Sequence, residues 1–207
     1  MVRPPMVRLG RTALIVLGID PGLRVTGYGL VRAEGDRYQA LGFGVVAPPA
    51  AAPRAERLLR IHEALCDVIR EARPDEVAVE DFIVGYVRAA VAVGEARAVA
   101  LLAAALAGLP VSLYKPLEVK QFVTSYGRGS KEQVAMMVQA LLGLPEPPQP
   151  ADAADALAVA LCHHLRRGSP LTATHGGSGF SPAAPGAARR LPISNLQPPA
   201  STAEPSP

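Results

Sequence analysis

LGIDPGLRVTGYG, Leu17 to Gly29, decides the fold of this 207-residue chain. The aliphatic run that leads into it, ALIVLGID from Ala13 to Asp20, is a buried strand that delivers a carboxylate at its tip and is stopped by Pro21 and Gly22. The run that leaves it, VTGYGLVRA from Val25 to Ala33, is a second strand, and a Glu34-Gly35-Asp36 turn returns the chain as YQALGFGVV, Tyr38 to Val46. These three segments read as an antiparallel meander. Glycines inside the second and third strands predict that something approaches the sheet closely there.

Beyond the loop APPAAAP, the segment Arg54 to Ala72 spaces Leu58, Ile61, Leu65, Val68, Ile69 and Ala72 by threes and fours, the period of a helix resting on a core, and it stops before Pro74. EVAVE, Glu76 to Glu80, is a short strand that again ends in an acid. A helix from about Arg88 to Gly108, a strand VSLY from Val111 to Tyr114 and a helix opened by Pro116 follow. Ser130 and Gln133 form a capping box ahead of a helix that ends at Gly143. After the proline-rich loop LPEPPQP comes a last helix, ADAADALAVALCHHLRR, that ends by Gly168. The order defines an α/β protein with a mixed five-stranded sheet flanked by helices. It divides the chain into a flexible N-terminal extension, 1–12, one folded domain, 13–167, and a Pro/Gly/Ala/Ser-rich disordered tail, 168–207.

Hydrophobic residues make up 49% of the chain, enough for a real core, while aromatics supply only 4% and Trp is absent, so Ala, Val and Leu carry the packing. A net charge of +3 owes much to arginines in the two ends, so a polyanion-binding surface on the domain has to be a local patch. Two cysteines, Cys66 and Cys162, lie within helical segments and at no metal or disulfide spacing, which fits a reducing, cytoplasmic setting. The opening arginines and apolar run are too short for a signal peptide and lack a cleavage site. Ala89 to Leu109 is long enough to span a bilayer but carries Glu95 and Arg97 near its middle, and reads as a helix of a soluble domain.

Ligands of open α/β sheets gather beyond strand ends, where this sequence places Asp20 and Glu80. The last helix adds Asp152 and Asp155, three apart and therefore on one face, with Leu157, Leu161 and Leu165 on a roughly opposite side to pack against the core. Brought together, each pair of these acids at about 4 Å repels by about 4 kcal/mol at an effective dielectric near 20. Hard oxygen donors without His or Cys suit Mg²⁺ or Mn²⁺, and two such ions about 3.5 to 4 Å apart activate a water and stabilise the leaving oxygen of a phosphodiester. Taken singly, a strand-end acid is an ordinary surface residue and Asp152 an ordinary partner of a helix N-terminus. Their combination points to a hydrolytic nuclease.

LGIDPGLRVTGYGLV, VAVED, VKQFV, GSKEQV and ADAADALAVA resemble, in order and spacing, the RuvC family of Holliday junction resolvases, over about Leu14 to His164. The resemblance implies an RNase H-like fold and structure-specific, symmetric nicking of two strands of a four-way junction, with 5′-phosphate and 3′-hydroxyl products, in homologous recombination and DNA repair. It also implies a homodimer, partnership with a junction branch-migration helicase complex, and Asp20, Glu80, Asp152 and Asp155 as catalytic ligands of two Mg²⁺ ions, with Mn²⁺ able to substitute. Lys120 and Lys131 stand at the positions of lysines that in the family contact DNA, with Lys115 and Arg128 extending the patch; ordinary solvated lysines are the alternative. The family's junction wedge is an aromatic residue three after the acid at Glu80. In EDFIVGYVRAA, Phe82 comes two after it, with Tyr86 and Arg88 beyond, so Phe82 reads more readily as core, Tyr86 and Arg88 then carrying DNA contact, and the wedge is left open among these DNA-contact candidates. The small residues of Ala89 to Ala107 fit the family's dimer helix or a helix packed within one monomer.

Three other readings compete. An actin-like kinase lobe shares the opening strand, but the chain lacks room for a second lobe. A related nuclease of ribosomal RNA precursors shares GIDPG but not DAADALA. A junction-binding module without catalysis is at odds with the presence of all four acids.

Overall fold

A computed structural model describes residues 13–81, 87–124 and 130–168 of the chain. The N-terminal extension, the tail after Gly168, and Phe82, Tyr86 and Arg128 lie outside the described residues, as does the side chain of Arg88. Three strands form the meander: β1 (Leu14–Asp20), β2 (Thr26–Glu34) and β3 (Arg37–Val46). Helix α1 (Arg54–Ala72) leads to β4 (Glu76–Glu80), helix α2 (Val87–Leu106) to β5 (Val111–Tyr114), and three helices close the domain: α3 (Pro116–Thr124), α4 (Lys131–Leu142) and α5 (Ala151–Gly168).

The sheet order is β3-β2-β1-β4-β5, with β1 antiparallel to β2 and parallel to β4, and β4 parallel to β5. Parallel pairing of β1 with β4 brings their C-terminal tips to the same edge. Both central strands are covered on both faces, which is why they read as unbroken aliphatic runs and not as alternating ones. On one face, Leu17, Ile19, Val77 and Val79 pack with Ile61 and Leu65 of α1 and Ala100, Ala103 and Ala104 of α2. On the other, Val16, Val31 and Ala78 pack with α5, α3 and α4 through Leu157, Leu161, Val123 and Val138. Each leucine buried this fully contributes about 1.5–3 kcal/mol.

Close approach to the sheet comes from α5. A Cβ at Gly18 would stand 2.1 Å from the Ala156 carbonyl oxygen, one at Gly27 1.9 Å from that of Asp152, and one at Gly29 2.9 Å from the Leu157 nitrogen. These three glycines are register neighbours on β1 and β2, Gly18 opposite Gly29 and Gly27 opposite Asp20. They form a side-chain-free track on which a helix backbone lies directly. On β3 the expectation fails: a Cβ at Gly42 meets nothing and one at Gly44 meets the ring of Tyr28.

Helix α5 also departs from the two-sided picture. Leu157 and Leu161 are fully buried, but so is almost every residue from Ala153 to His164, because the sheet, α3 and α4 surround the helix. Asp152 and Asp155 stay partly exposed because they stand in its first turns on the face turned to the cavity, while Ala153, Ala154 and Ala156 beside them are buried.

Candidate active site

Strand alternation fixes where the two tip acids point. Val16 belongs to the α5 side of the sheet and Leu17 and Ile19 to the α1/α2 side, so Asp20 leaves β1 toward α5; by the same parity Glu80 follows Ala78 toward α5. The glycine track lowers the first turn of α5 onto Gly27, directly across from Asp20, and so brings Asp152 to the tip of β1. Asp20, Glu80, Asp152 and Asp155 all line one cavity of about 310 Å³, whose walls include Pro21, Gly22 and Val25 of the β1–β2 loop, Val93 of α2, and Lys120 and Lys131.

Lys131 is the first residue of α4. The expected capping box is present: Ser130 Oγ accepts from the Gln133 amide at 3.3 Å and the Ser130 amide donates to Gln133 Oε1 at 2.9 Å, while Gly143 closes the helix with φ 61°. A cation at a helix N-terminus opposes the macrodipole. Here it is offset by Asp155, whose Oδ2 accepts from Lys131 Nζ at 2.9 Å and raises the lysine's pKa. Lys120 reaches the cavity from α3 and its charge favours the ionised form of Glu80. Lys115, exposed at the end of β5, lies outside the cavity wall.

Burial, then the charge of Glu80, raises the Asp20 carboxyl to about 8, with smaller contributions from Asp155 and Asp152. Burial also raises Glu80, which hydrogen-bonds Asp20. Two acids held against their preferred charge state call for a cation. Among the described residues no three His, Cys, Asp or Glu side chains already stand as a metal cage. The donor set nevertheless fits a cation: it is all hard oxygen, it is strained by its own charge, and the ammonium of Lys131 already occupies one of its carboxylates.

Three features lay beyond the reach of sequence. Arg57 of α1 donates to the Leu23 carbonyl at 2.8 Å and Thr26 Oγ1 to that of Gly22 at 2.7 Å, pinning the cavity loop. Arg97 of α2 pairs with Asp81, the residue after Glu80. A buried chain runs from Tyr114 Oη to His163 Nδ1, 2.9 Å, and from His163 Nε2 to Glu76 Oε2, 2.8 Å, with Arg167 on the other Glu76 oxygen. Apart from the Thr26–Gly22 bond, which spans four residues, these depend on pairs 16 to 91 residues apart, for which a single sequence carries no signal.

An RNase H-like sheet with hard-oxygen acids at its strand tips and at the start of the closing helix defines a class, the divalent-metal-dependent nucleases of that fold. Comparison narrows it. The family of crossover junction endodeoxyribonuclease RuvC matches residues 16–163. The RuvC of Dehalococcoides mccartyi is 51% identical over 153 residues, covering 73% of this chain and 92% of that protein, and the RuvC of Moorella thermoacetica is 50% identical over 151, covering 72% and 90%. Among solved structures, Thermus thermophilus RuvC in complex with Holliday junction substrate superposes with a TM-score of 0.71 at 40% identity, covering 74% of this chain and 94% of that one. The yeast mitochondrial Holliday junction resolvase, at 14% identity and a TM-score of 0.51, shares the fold. This chain belongs to the RuvC family of crossover junction endodeoxyribonucleases and is an endonuclease. No helix among the described residues is long and apolar enough to cross a membrane.

Proposed function

We propose that this chain, a Holliday junction resolvase, cuts with Asp20, Glu80, Asp152 and Asp155 as the ligands of two Mg²⁺ ions, Mn²⁺ substituting, and with Lys120 and Lys131 on the phosphates of the cut strand. The observation that carries the reading is the single cavity that gathers all four acids and both lysines from five separate elements. Bound divalent ions supply an activated water and neutralise the leaving oxygen. The chain's own residues do the rest: the acids hold the ions at the strand tips, and the lysines draw the phosphodiester in and partly offset its charge. Lys131 exchanges its Asp155 partner for a phosphate oxygen when DNA and metal arrive. Water adds at phosphorus and the 3′-oxygen departs, leaving 5′-phosphate and 3′-hydroxyl ends.

Two symmetric nicks need two such sites, which a homodimer built on α2 supplies. Its exposed Val91, Leu102 and Leu106 give the apolar contact. We assign the protein to the cytoplasm, acting in recombination and repair beside a branch-migrating helicase complex. Lys115 extends the lysine patch, and Phe82, Tyr86 and Arg88 serve as further DNA contacts near the crossover. The test is incubation of the purified protein with a synthetic mobile four-way junction, a linear duplex and a flap, with and without Mg²⁺. Paired nicks in the junction alone, only with metal, are expected; equal cutting of the duplex, or cutting in EDTA, would overturn the reading.

A further inference from the structure

Glu80 and Asp81 are consecutive residues that leave the end of β4 on opposite faces of the sheet. Glu80 points into the acid cavity; Asp81 points to the α2 side, where Arg97 Nη1 donates to its Oδ1. The Asp81 amide in turn donates to the Tyr114 carbonyl at 2.7 Å, carrying the β4–β5 ladder one residue past Glu80. On the same stretch of α2, Val93 forms part of the cavity wall and Glu95 pairs with Arg54 of α1 at 2.5 Å. Arg97 thus ties α2 to the strand end that carries Glu80, while Val93 of the same helix lines the cavity and Glu95 ties the helix to α1.

We infer that Arg97 is a positioning residue for the cleavage reaction: through Asp81 it fixes the last peptide of β4, and with it the direction in which Glu80 presents its carboxylate to a divalent cation. Rotating that peptide to release Asp81 necessarily swings Glu80, because the two side chains share it. Among the described residues the guanidinium of Arg97 is the side chain that pairs with Asp81, and it sets the carboxylate's orientation. The pair also joins the metal site to the helix whose outer face bears Leu102 and Leu106, so a force on α2 reaches Glu80 by a path of one ion pair and one peptide. The inference rests on the reading of Glu80 as a metal ligand.

The test uses the full chain and Mn²⁺ alone as probe. R97Q, R97K, D81N, the double variant D81N/R97Q and E80Q are titrated with Mn²⁺ by calorimetry, assayed for single-turnover junction cutting, and measured for junction binding in EDTA. R97Q and D81N should each bind Mn²⁺ about 10- to 100-fold more weakly, the usual cost of losing a partner behind a metal ligand. Cutting should fall in step while binding in EDTA stays within about twofold, with R97K intermediate and the double variant no worse than D81N, because one interaction is being removed twice. D81N preserves shape and carries the test should R97Q fail to fold. Unchanged Mn²⁺ affinity in R97Q and D81N, or additive losses in the double variant, would refute the inference, and loss of junction binding in EDTA would make Arg97 a DNA contact instead. If E80Q keeps its Mn²⁺ affinity, the reading of the metal site fails first, and that outcome is distinct from the others.

Discussion

Gly27 and Asp20 face each other across β1 and β2, so a residue with no side chain stands beside the carboxylate that needs a helix close by. G27A therefore tests geometry at a distance of one residue. Its Cβ would lie 1.9 Å from the Asp152 carbonyl oxygen, forcing α5 outward, and the variant should be destabilised by about 1–3 kcal/mol or more and cut poorly even where it folds. A thermal melt and a junction assay check both; a normal melt with normal cutting would mean α5 does not rest on this track. The Asp20 carboxyl makes a pH prediction. Its folded-state value of about 8 lies above the ordinary 3.8, so the folded, metal-free protein holds this proton more tightly than the unfolded chain. The contribution of Asp20 to stability is then greatest below the ordinary value and is lost as pH rises through the folded one, and D20N should remove this part of the pH dependence. D20N should also bind junctions yet fail to cut them, with a loss of about 10³-fold or more. The Lys131 ion pair involves a largely exposed lysine, so K131A should move the melt by less than about 1 kcal/mol while lowering cutting clearly; unchanged cutting would return Lys131 to the solvated surface.

At the scale of elements, each piece of secondary structure was legible because periodicity, capping and turn residues agree along this chain. Glu76 to Glu80 could be read as a strand from five residues, and the Ser130–Gln133 box located α4 and thus Lys131. The Asp152–Asp155 pair showed one shared helical face. What sequence concealed was the reason those aspartates stay accessible. The spacing of Leu157, Leu161 and Leu165 predicts a packing stripe, but the middle of α5 is enclosed on all sides and only the aspartate face of its first turns opens to the cavity. A helix wheel gives direction around an axis and is silent about depth along it. Similarly, β3 glycines look like those of β2, yet the backbone of α5 rests on the glycines of β2 and β1 and meets β3 through side chains such as Tyr38, a distinction set by sheet order. L161A, in the middle of α5, should cost about 2–5 kcal/mol and lower cutting only as far as it lowers the folded fraction. A cutting defect in fully folded L161A would show that the helix interior tunes the site.

For the molecule as a whole, the two cores on opposite faces hold the sheet, while the chemistry collects at one edge where β1, β4 and α5 end or begin. Helix α2 serves both regions: Ala100, Ala103 and Ala104 are buried against the sheet, while Leu102 and Leu106 stand exposed on the other side. Nothing in a single sequence separates a buried alanine that packs within a monomer from one beside a partner, which is why that helix supported two readings. Replacing Leu106 by Asp should lower the sedimentation mass to that of a monomer and uncouple the two nicks of a junction. A dimer that survives this change places the contact elsewhere.

On the proposed mechanism the tips of two strands and the first turns of one helix share divalent cations. Anomalous diffraction from Mn²⁺-soaked crystals of the full chain tests it most directly. Manganese peaks bounded by Asp20, Glu80, Asp152 and Asp155 are expected, and they should disappear in D20N crystals. Manganese bound at any other place, with that cavity empty, would contradict it.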